Sequence, residues 1–186
     1  EHPYYQTDFP VPKRDLAKAK ALMKEAGVTA PFDVDFMVPK GAETQAVAEV
    51  LQAMAAEIGI NLKIRVTEFA TSLKEAEEGN YQAFMLAWSG RIDPDGNSYI
   101  FHVSNAPQNY GGYKNPAVDK LFADARLVSD MARRKAIYKQ VTDTLLHEGS
   151  IIYLYHRRVF IAHTKKLEGY KQMPDGLVRV IGLKLK

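Results

Sequence analysis

Two hydrophobic periods alternate through the first 90 residues of this chain. Apolar residues recur at helical spacing, with a glycine as the stop, in three segments: 16–27, 47–59 and 70–79. Strand-like patterns lie between and after them: 32–38 and 60–66 alternate apolar with polar residues, and 83–88 is a continuous apolar run. A period of 3.6 residues predicts a helix, a period of two predicts a strand, and a short apolar run is typical of a strand covered on both faces. Helices that alternate with strands predict an α/β fold built in layers.

The same patterns predict which side chains the elements bury. Asp15 is a suitable N-cap for the first helix, which is expected to bury one stripe: Leu16, Ala19, Leu22, Met23 and Ala26. In the first strand the apolar residues alternate with Asp33 and Asp35, which predicts a single buried face. The second helix is also expected to bury one stripe: Val47, Val50, Leu51, Met54 and Ile58.

The second half of the chain contains a long irregular stretch followed by two helices. Residues 89–116 are rich in Gly, Pro, Asn, Asp and Tyr, and a connection of this length is usually functional or holds short helices of its own. The next helix is marked by an apolar stripe: Val118, Leu121, Phe122 and Ala125. Ser129 or Asp130 can cap a long helix that Gly149 ends. Strand-like segments follow at 151–155, 159–162 and 182–185.

The composition excludes several classes of protein. With 186 residues, 46% of them hydrophobic and 25% charged, the chain can bury a core as one domain of ordinary size or as two very small ones. No stretch approaches the roughly 20 apolar residues that a transmembrane helix needs. The absence of cysteine excludes disulfides, thiolate zinc sites and cysteine nucleophiles. A net charge of +3 is too small to indicate binding to nucleic acid or to an anionic membrane.

The residues give little support to catalysis. The five histidines do not occur in a metal-binding spacing such as HExxH, and the nucleophile-elbow, dinucleotide-binding and Walker A motifs are absent. Residues 93–97 (DPDGN) carry oxygen-bearing side chains at alternate positions, as a calcium loop does, but Ser98 and Ser104 stand where such a loop requires Gly and Glu. A turn, with Asp95 and Asn97 as turn and cap residues, is the better interpretation. We therefore expect no enzymatic activity, no cofactor and no metal.

Six motifs occur in the order in which one protein family carries them. Residues 15–27 (DLAKAKALMKEAG) resemble its DxxKAKxLLxEAG helix, and residues 48–60 (AEVLQAMAAEIGI) resemble its AExLQAxLxxIGI helix and turn. Ala87-Trp88 together with 93–97 is similar to GWxxDxxDPDN. Three further segments match NxxGYxNPxxDxLL, RxxLYxxxQ and VKGY: 109–121 (NYGGYKNPAVDKL), 134–141 (RKAIYKQV) and 167–170 (LEGY). Together they identify a resemblance to the C-terminal lobe of the family 5 extracellular solute-binding proteins, the periplasmic receptors of dipeptide, oligopeptide and nickel importers of the ABC class.

The resemblance implies a periplasmic-binding-protein-like (type II) lobe with a mixed central sheet flanked by helices. It implies that residues 1–186 form a single lobe of a two-lobed protein, whose missing N-terminal lobe supplies the opposite wall of a cleft that closes on the ligand. The start at Glu1-His2-Pro3, with neither an initiator methionine nor a signal sequence, leads us to expect a piece of a longer chain.

The function that the resemblance implies is that of the substrate-binding component of an ABC importer. Such a component delivers a peptide or a similar amino-acid-derived solute to the permease subunits. Its location is periplasmic, or extracellular and membrane-associated. The alternatives are a ligand-sensing or signalling receptor domain of the same fold, and an enzyme that depends on His102 or His156.

Candidate ligand-binding residues follow from the resemblance and from the rule that ligands bind beyond the carboxyl ends of parallel strands. They are Lys40, Trp88, Arg91, Asp93 and Tyr110. Peptide-binding members typically carry an Asp three places after this Trp, where it pairs with the α-amino group of the ligand, but here that residue is Arg91. Because a guanidinium prefers a carboxylate or a phosphate, we predict that Arg91 binds a ligand carboxylate, with Asp93 available for an amine or as the partner of Arg91. Three other roles stay open: a core position for Trp88, a solvated loop tip for Arg91 and a loop anchor for Tyr110.

Overall fold

The computed structural model describes residues 3–6, 8–173 and 177–186. In chain order its elements are α1 (Leu16–Glu25), β1 (Phe32–Pro39), α2 (Ala42–Ala56), β2 (Ile60–Thr67), α3 (Phe69–Glu78), β3 (Ala83–Phe84), α4 (Asp95–His102), α5 (Pro116–Arg126), α6 (Met131–Glu148), β4 (Leu167–Glu168) and β5 (Lys184–Leu185). The chain divides into two compact units, the first built from Pro3–Trp88 and Asn105–Gly112 and the second from Ser89–Ser104 and Tyr113–Lys186. Among the described helices, none has both the length and the hydropathy that a bilayer crossing requires.

The helix boundaries predicted from two capping aspartates and from two of the glycine stops are confirmed. The Asp15 carboxylate accepts a hydrogen bond from the backbone N–H three residues later at the start of α1, and Asp130, one of the two candidates for α6, does the same. α3 and α6 end at Gly79 and Gly149, whose φ values of 74° and 66° lie in the left-handed region that glycine tolerates.

The sheet of the first unit has the strand order β2–β1–β3, and both pairs are parallel. β1 pairs with β2 along its whole length, with Phe32 opposite Ile60 and Pro39 opposite Thr67. The α/β fold class is therefore confirmed. The expected mixed sheet is not found in the described residues, where antiparallel pairing joins β4 to β5 in the second unit and the three-stranded sheet is wholly parallel.

β1 is the central strand, and its second half is buried on both faces. Phe36 and Val38 pack on one face with Ala48 of α2, while Met37, on the face that carries the aspartates, is fully buried as well. The connections from β1 to β2 and from β2 to β3 run in opposite directions, so right-handed crossovers place α2 and α3 on opposite faces. Both helices contact β1. The prediction of one buried face is therefore wrong: Phe32 and Asp33 at the start of the strand are both exposed, and burial increases along the strand on both faces.

The predicted apolar stripes of α1 and α2 are wrong in part. In α2 the buried residue is Ala48, whereas Val50 and Met54 are 59% and 43% exposed. They follow Ala48 by two and six residues, which at 3.6 residues per turn places them on the opposite side of the helix. The small side chain of Ala48 lets α2 approach the sheet closely. Within α1 no side chain is fully buried, and Leu22 is exposed.

The strand predicted over 83–88 is shorter than expected. β3 contains only Ala83 and Phe84, and the last bond to β1 is donated by the Met85 N–H to the Met37 carbonyl oxygen, at 3.1 Å. Pro39 is the next residue of β1 whose backbone faces this strand. Because proline has no N–H to donate, the ladder stops there. The rest of the apolar run is not covered on both faces.

The second unit is organised around the hairpin of α5 and α6, and the stripe predicted for α5 is largely confirmed. The hairpin buries one set of side chains: Val118, Phe122, Ala125, Tyr138, Val141 and Leu145. The Phe122 ring makes edge-on contacts with Tyr99 of α4 and with Tyr138, at centroid distances of 5.8 and 6.2 Å. α4 is thus a short helix inside the long irregular stretch, as the length of that stretch predicts.

The strands predicted at 151–155 and 159–162 do not form in the described residues. Both segments lie outside any helix or ladder, and most of their side chains are exposed. A strand requires a hydrogen-bonded neighbour, which β propensity alone does not supply. At the C-terminal end, by contrast, β5 lies within the predicted 182–185 and pairs with β4.

Candidate ligand-binding site

The carboxyl ends of the three parallel strands define one edge of the first unit's sheet. Lys40 follows β1, and its N–H donates to the carbonyl oxygen of Thr67 at the end of β2, at 2.8 Å. Glu68 comes next, and its carboxylate lies 2.6 Å from the Lys40 Nζ. The hydrogen bond and the charge of Glu68 raise the pKa of Lys40. Lys40 therefore lies at the predicted edge, as an exposed cation paired with an exposed carboxylate.

Trp88 and Tyr110 also belong to the first unit. Trp88 is the last residue of the apolar run that begins with β3. It is 39% exposed, so it is not a buried core residue. Tyr110 is half-buried, with its ring 6.2 Å from that of Phe84, and its backbone carbonyl oxygen accepts a hydrogen bond from the Tyr81 hydroxyl. Burial raises the pKa of Tyr110. These contacts are those expected of the loop-anchor alternative for Tyr110.

Two arginine forks attach the start of α4 to the α5–α6 hairpin. The carboxylate of Asp93 accepts hydrogen bonds of 2.7 and 2.9 Å from Arg134, whose side chain is only 16% exposed. The carboxylate of Asp95 accepts two bonds of 2.8 Å from Arg126, and the guanidinium of Arg126 lies 3.4 Å from the centre of the Tyr99 ring. Asp95 is thus a helix-start residue, and both carboxylates face cations, which is poor chemistry for calcium.

Arg91 lies in the turn that precedes α4, where its backbone and its side chain are held by neighbours in the same unit. The guanidinium donates to the Ser89 hydroxyl at 3.0 Å and to the Gly90 carbonyl oxygen at 2.7 Å. The side-chain amide of Asn97 bonds to both backbone polar groups of Arg91. The residue as a whole is exposed to solvent.

The structure thus groups the predicted residues by unit. Lys40 and Trp88 follow the carboxyl ends of neighbouring strands in the first unit, whereas Arg91 and Asp93 share one turn in the second. Glu68 is a residue that was not predicted, although the rule that selects Lys40 also applies to the residue after β2. Arg134 was not predicted as the partner of Asp93, because a contact between residues 41 positions apart leaves no local signal in the sequence.

The two histidines of the enzyme alternative have different surroundings. His102 is buried, with its Nδ1 2.8 Å from the Ser98 carbonyl oxygen and its Nε2 3.2 Å from the Tyr153 hydroxyl. Burial lowers the pKa of His102, which keeps the ring neutral. Since both ring nitrogens are engaged, this side chain has the contacts of a structural residue. His156 lies in the exposed segment that follows α6.

Tyr113 and Asn115 hold the last residue of α6, and this contact gives a prediction about pH. The Tyr113 hydroxyl and the Asn115 amide donate to the Glu148 carboxylate, and these bonds, that of Tyr113 first, lower the pKa of Glu148. Burial, with the hydrogen bond to Glu148, raises the pKa of Tyr113 to about 12. We expect Tyr113→Phe to move the pKa of Glu148 upward, measured by a carbon-13 NMR titration of the carboxyl.

The sign of the effect on stability follows by linkage. Because the folded-state pKa of Glu148 is depressed, its contribution is present above the unfolded-state pKa and is lost as the pH falls through the folded-state pKa. Tyr113→Phe should therefore cost stability near neutral pH and progressively less as the carboxyl becomes protonated. Tyr5→Phe, which changes an exposed ring of the first unit, is the control. An unchanged titration of Glu148 in Tyr113→Phe contradicts the prediction.

Comparisons with known proteins point to one family. A family model described as bacterial extracellular solute-binding proteins, family 5 Middle, matches residues 1–110. The dipeptide-binding protein of Escherichia coli (strain K12) is 30% identical over 171 residues, which cover 87% of this chain and 32% of that protein. The structure of HbpA2 from Haemophilus parasuis superposes with a TM-score of 0.84 at 28% identity, covering 98% of this chain and 38% of the other. The oligopeptide-binding protein AppA from Bacillus subtilis, solved with a nonapeptide, gives a TM-score of 0.87 at 25% identity, with coverages of 98% and 40%. The chain spans about a third of the length of the curated relatives it matches.

Proposed function

The chain belongs to family 5 of the bacterial extracellular solute-binding proteins, and from this premise we propose that it forms one wall of the ligand-binding cleft in the substrate-binding component of an ABC importer. The family consists of binding proteins, so we propose no catalytic step and no cofactor. The receptor takes up its solute outside the inner membrane, in the periplasm or in an extracellular, membrane-associated position, and passes it to the permease subunits. The opposite wall of the cleft belongs to the remainder of the receptor.

The observation that carries this proposal is the extent of the family match. Residues 1–110 include the carboxyl edge of the sheet with Lys40 and Trp88, and also the turn with Arg91 and Asp93. Trp88 offers a partly exposed aromatic face of the kind that binding sites use for large apolar contacts. The relatives are named for dipeptides and oligopeptides, which supports a peptide or a similar amino-acid-derived solute as the ligand class.

Arg91 sets the expected charge of the ligand group near this turn. A guanidinium repels an ammonium and binds a carboxylate through charge-assisted, often two-pronged, hydrogen bonds. Asp93 already accepts two such bonds from Arg134. We therefore assign the carboxylate of the solute to Arg91 and leave any amine of the solute to other residues of the cleft.

Native mass spectrometry of the receptor that carries this chain, purified without unfolding, tests the ligand class. A bound mass that matches a peptide or another amino-acid-derived acid is the expected result. A bound sugar or metal complex contradicts the ligand class and removes the argument for Arg91. An empty receptor that also ignores a panel of peptides and opines favours a ligand-sensing domain over an importer component.

The role of Arg91 gives a second measurement in the same receptor. We expect Arg91→Ala to weaken binding of the dipeptide Ala-Phe by about 10- to 100-fold, because a hydrogen bond to a charged group contributes roughly 1.5–3 kcal/mol. Binding of the C-terminal amide of Ala-Phe, which lacks the carboxylate, should change little. Arg133→Ala removes an exposed arginine of the same unit and serves as the control in isothermal titration calorimetry. Equal losses for the acid and the amide refute the assignment.

A further inference from the structure

The side chain of Asn97 is bonded to the backbone of Arg91 on both sides of the residue. Its Oδ1 accepts a hydrogen bond from the Arg91 N–H at 2.6 Å, and its Nδ2 donates to the Arg91 carbonyl oxygen, also at 2.6 Å. A further bond of 3.3 Å runs from the same Nδ2 to the carbonyl oxygen of Asp93. An amide that engages both polar groups of one residue fixes the direction in which that residue's side chain leaves the backbone.

Gly96 lies beneath the side chain of Arg91. A Cβ added at Gly96 would stand 3.1 Å from the Cγ and 3.2 Å from the Cβ of Arg91, which is closer than nine in ten real contacts of this kind, so the stem of Arg91 would have to shift by a few tenths of an ångström. Gly96 also occupies the second position of α4, where alanine is intrinsically the better helix former. The stem of Arg91 therefore supplies a reason for glycine at a helical position that would otherwise favour a side chain.

The part of α4 that carries Asn97 and Gly96 is attached to the rest of the second unit by ion pairs. Both residues belong to the first turns of α4, whose start is attached to the α5–α6 hairpin by the forks from Arg126 to Asp95 and from Arg134 to Asp93. Arg91 is thus held in place by a helix that is attached to a packed helical hairpin, and not by a loop alone. A cation held in its binding pose loses less side-chain entropy when a ligand arrives.

We propose that Asn97 and Gly96 are positioning residues that set the specificity of the receptor for a carboxylate by holding Arg91 ready to bind it. Asn97 fixes the backbone of Arg91, and Gly96 leaves room for its stem. This inference rests on the proposed function, in which Arg91 contacts the ligand. It adds that the selectivity for an acid is reduced when either supporting residue changes, through an effect on Arg91 and not through a contact of their own with the ligand.

The test compares the dipeptide Ala-Phe with its C-terminal amide in the receptor that carries this chain. Asn97→Ala and Gly96→Ala should each weaken binding of the acid by about 3- to 10-fold, the cost of ordering one long side chain on binding, and should leave the amide within about twofold. Asn97→Asp keeps the acceptor for the Arg91 N–H, so its affinity for the acid should lie between that of the parent receptor and that of Asn97→Ala. Asn61→Ala, which removes a side-chain amide bonded to Asp33 in the first unit, is the matched control.

A double-mutant cycle separates positioning from a general structural role. In the Arg91→Ala background, Asn97→Ala should cause no further loss for the acid, because the group that it positions is gone. Equal losses for acid and amide, or losses that add to that of Arg91→Ala, overturn the inference.

A measurement without ligand distinguishes failure of this inference from failure of the proposed function. Nitrogen-15 relaxation of the Arg91 Nε in the ligand-free receptor should show a more mobile side chain in Asn97→Ala and Gly96→Ala than in the parent. Unchanged mobility overturns the positioning role whatever the ligand is. If Arg91→Ala leaves acid binding intact while the mobility does change, the assignment of the carboxylate to Arg91 fails instead.

Discussion

Met37→Ala is expected to lower the free energy of unfolding of this chain by about 2–5 kcal/mol, the range for truncating a large buried side chain to alanine. Met37 is fully buried in the central strand of a sheet with helices on both faces, so the change removes its packing and leaves a cavity. Urea denaturation followed by far-ultraviolet circular dichroism measures the loss.

The control is Met54→Ala, which makes the same chemical change at a position where the sequence pattern predicts burial and the structure shows 43% exposure. We expect its effect to lie within about 0.5 kcal/mol of zero, as for other surface substitutions. The two variants together therefore test whether burial in α2 follows the sequence pattern or the structure. If Met54→Ala costs as much as Met37→Ala, the orientation of α2 described above is wrong.

Phe122→Ala, in the second unit, should lower the free energy of unfolding by a similar or larger amount, about 3–5 kcal/mol. The Phe122 ring is fully buried and makes edge-on contacts with Tyr99 and Tyr138, so it joins α4, α5 and α6. Loss of this ring should loosen the attachment of α4 and with it the turn that carries Arg91. Hydrogen exchange of the α4 amides in Phe122→Ala measures that second effect.

Phe160→Ala is the matched control for the second unit, because the Phe160 side chain is 87% exposed in the segment that follows α6. The sequence places Phe160 in a predicted strand, where an apolar side chain is expected to be half-buried. We expect a change in unfolding free energy of less than about 0.5 kcal/mol. A loss as large as that of Phe122→Ala contradicts the exposure of the Phe160 side chain.

The candidate site shows how far local sequence rules reach. The rule that ligands bind beyond the carboxyl ends of parallel strands places Lys40 at the sheet edge, and the structure agrees. The sequence predicts Asn97 as a turn or cap residue, but Asn97 lies inside α4, whose N-cap is Pro94. Its two bonds to Arg91 depend on the exact path of the turn. The fork between Arg134 and Asp93 joins residues far apart in sequence and was not predictable from either neighbourhood.

The capped helix ends, the alternation of helix and strand and the α/β class could be predicted from the linear sequence. Caps such as Asp15 and stops such as Gly149 act through hydrogen bonds and backbone angles within a few residues, so their signals survive in the linear pattern. The three-dimensional structure was needed to show that the second half of β1 is buried on both faces, that α2 turns Val50 and Met54 outward, and that the segment after α6 lacks a strand partner among the described residues. Burial and strand pairing depend on which elements lie against each face, and that arrangement is set by contacts between distant parts of the chain.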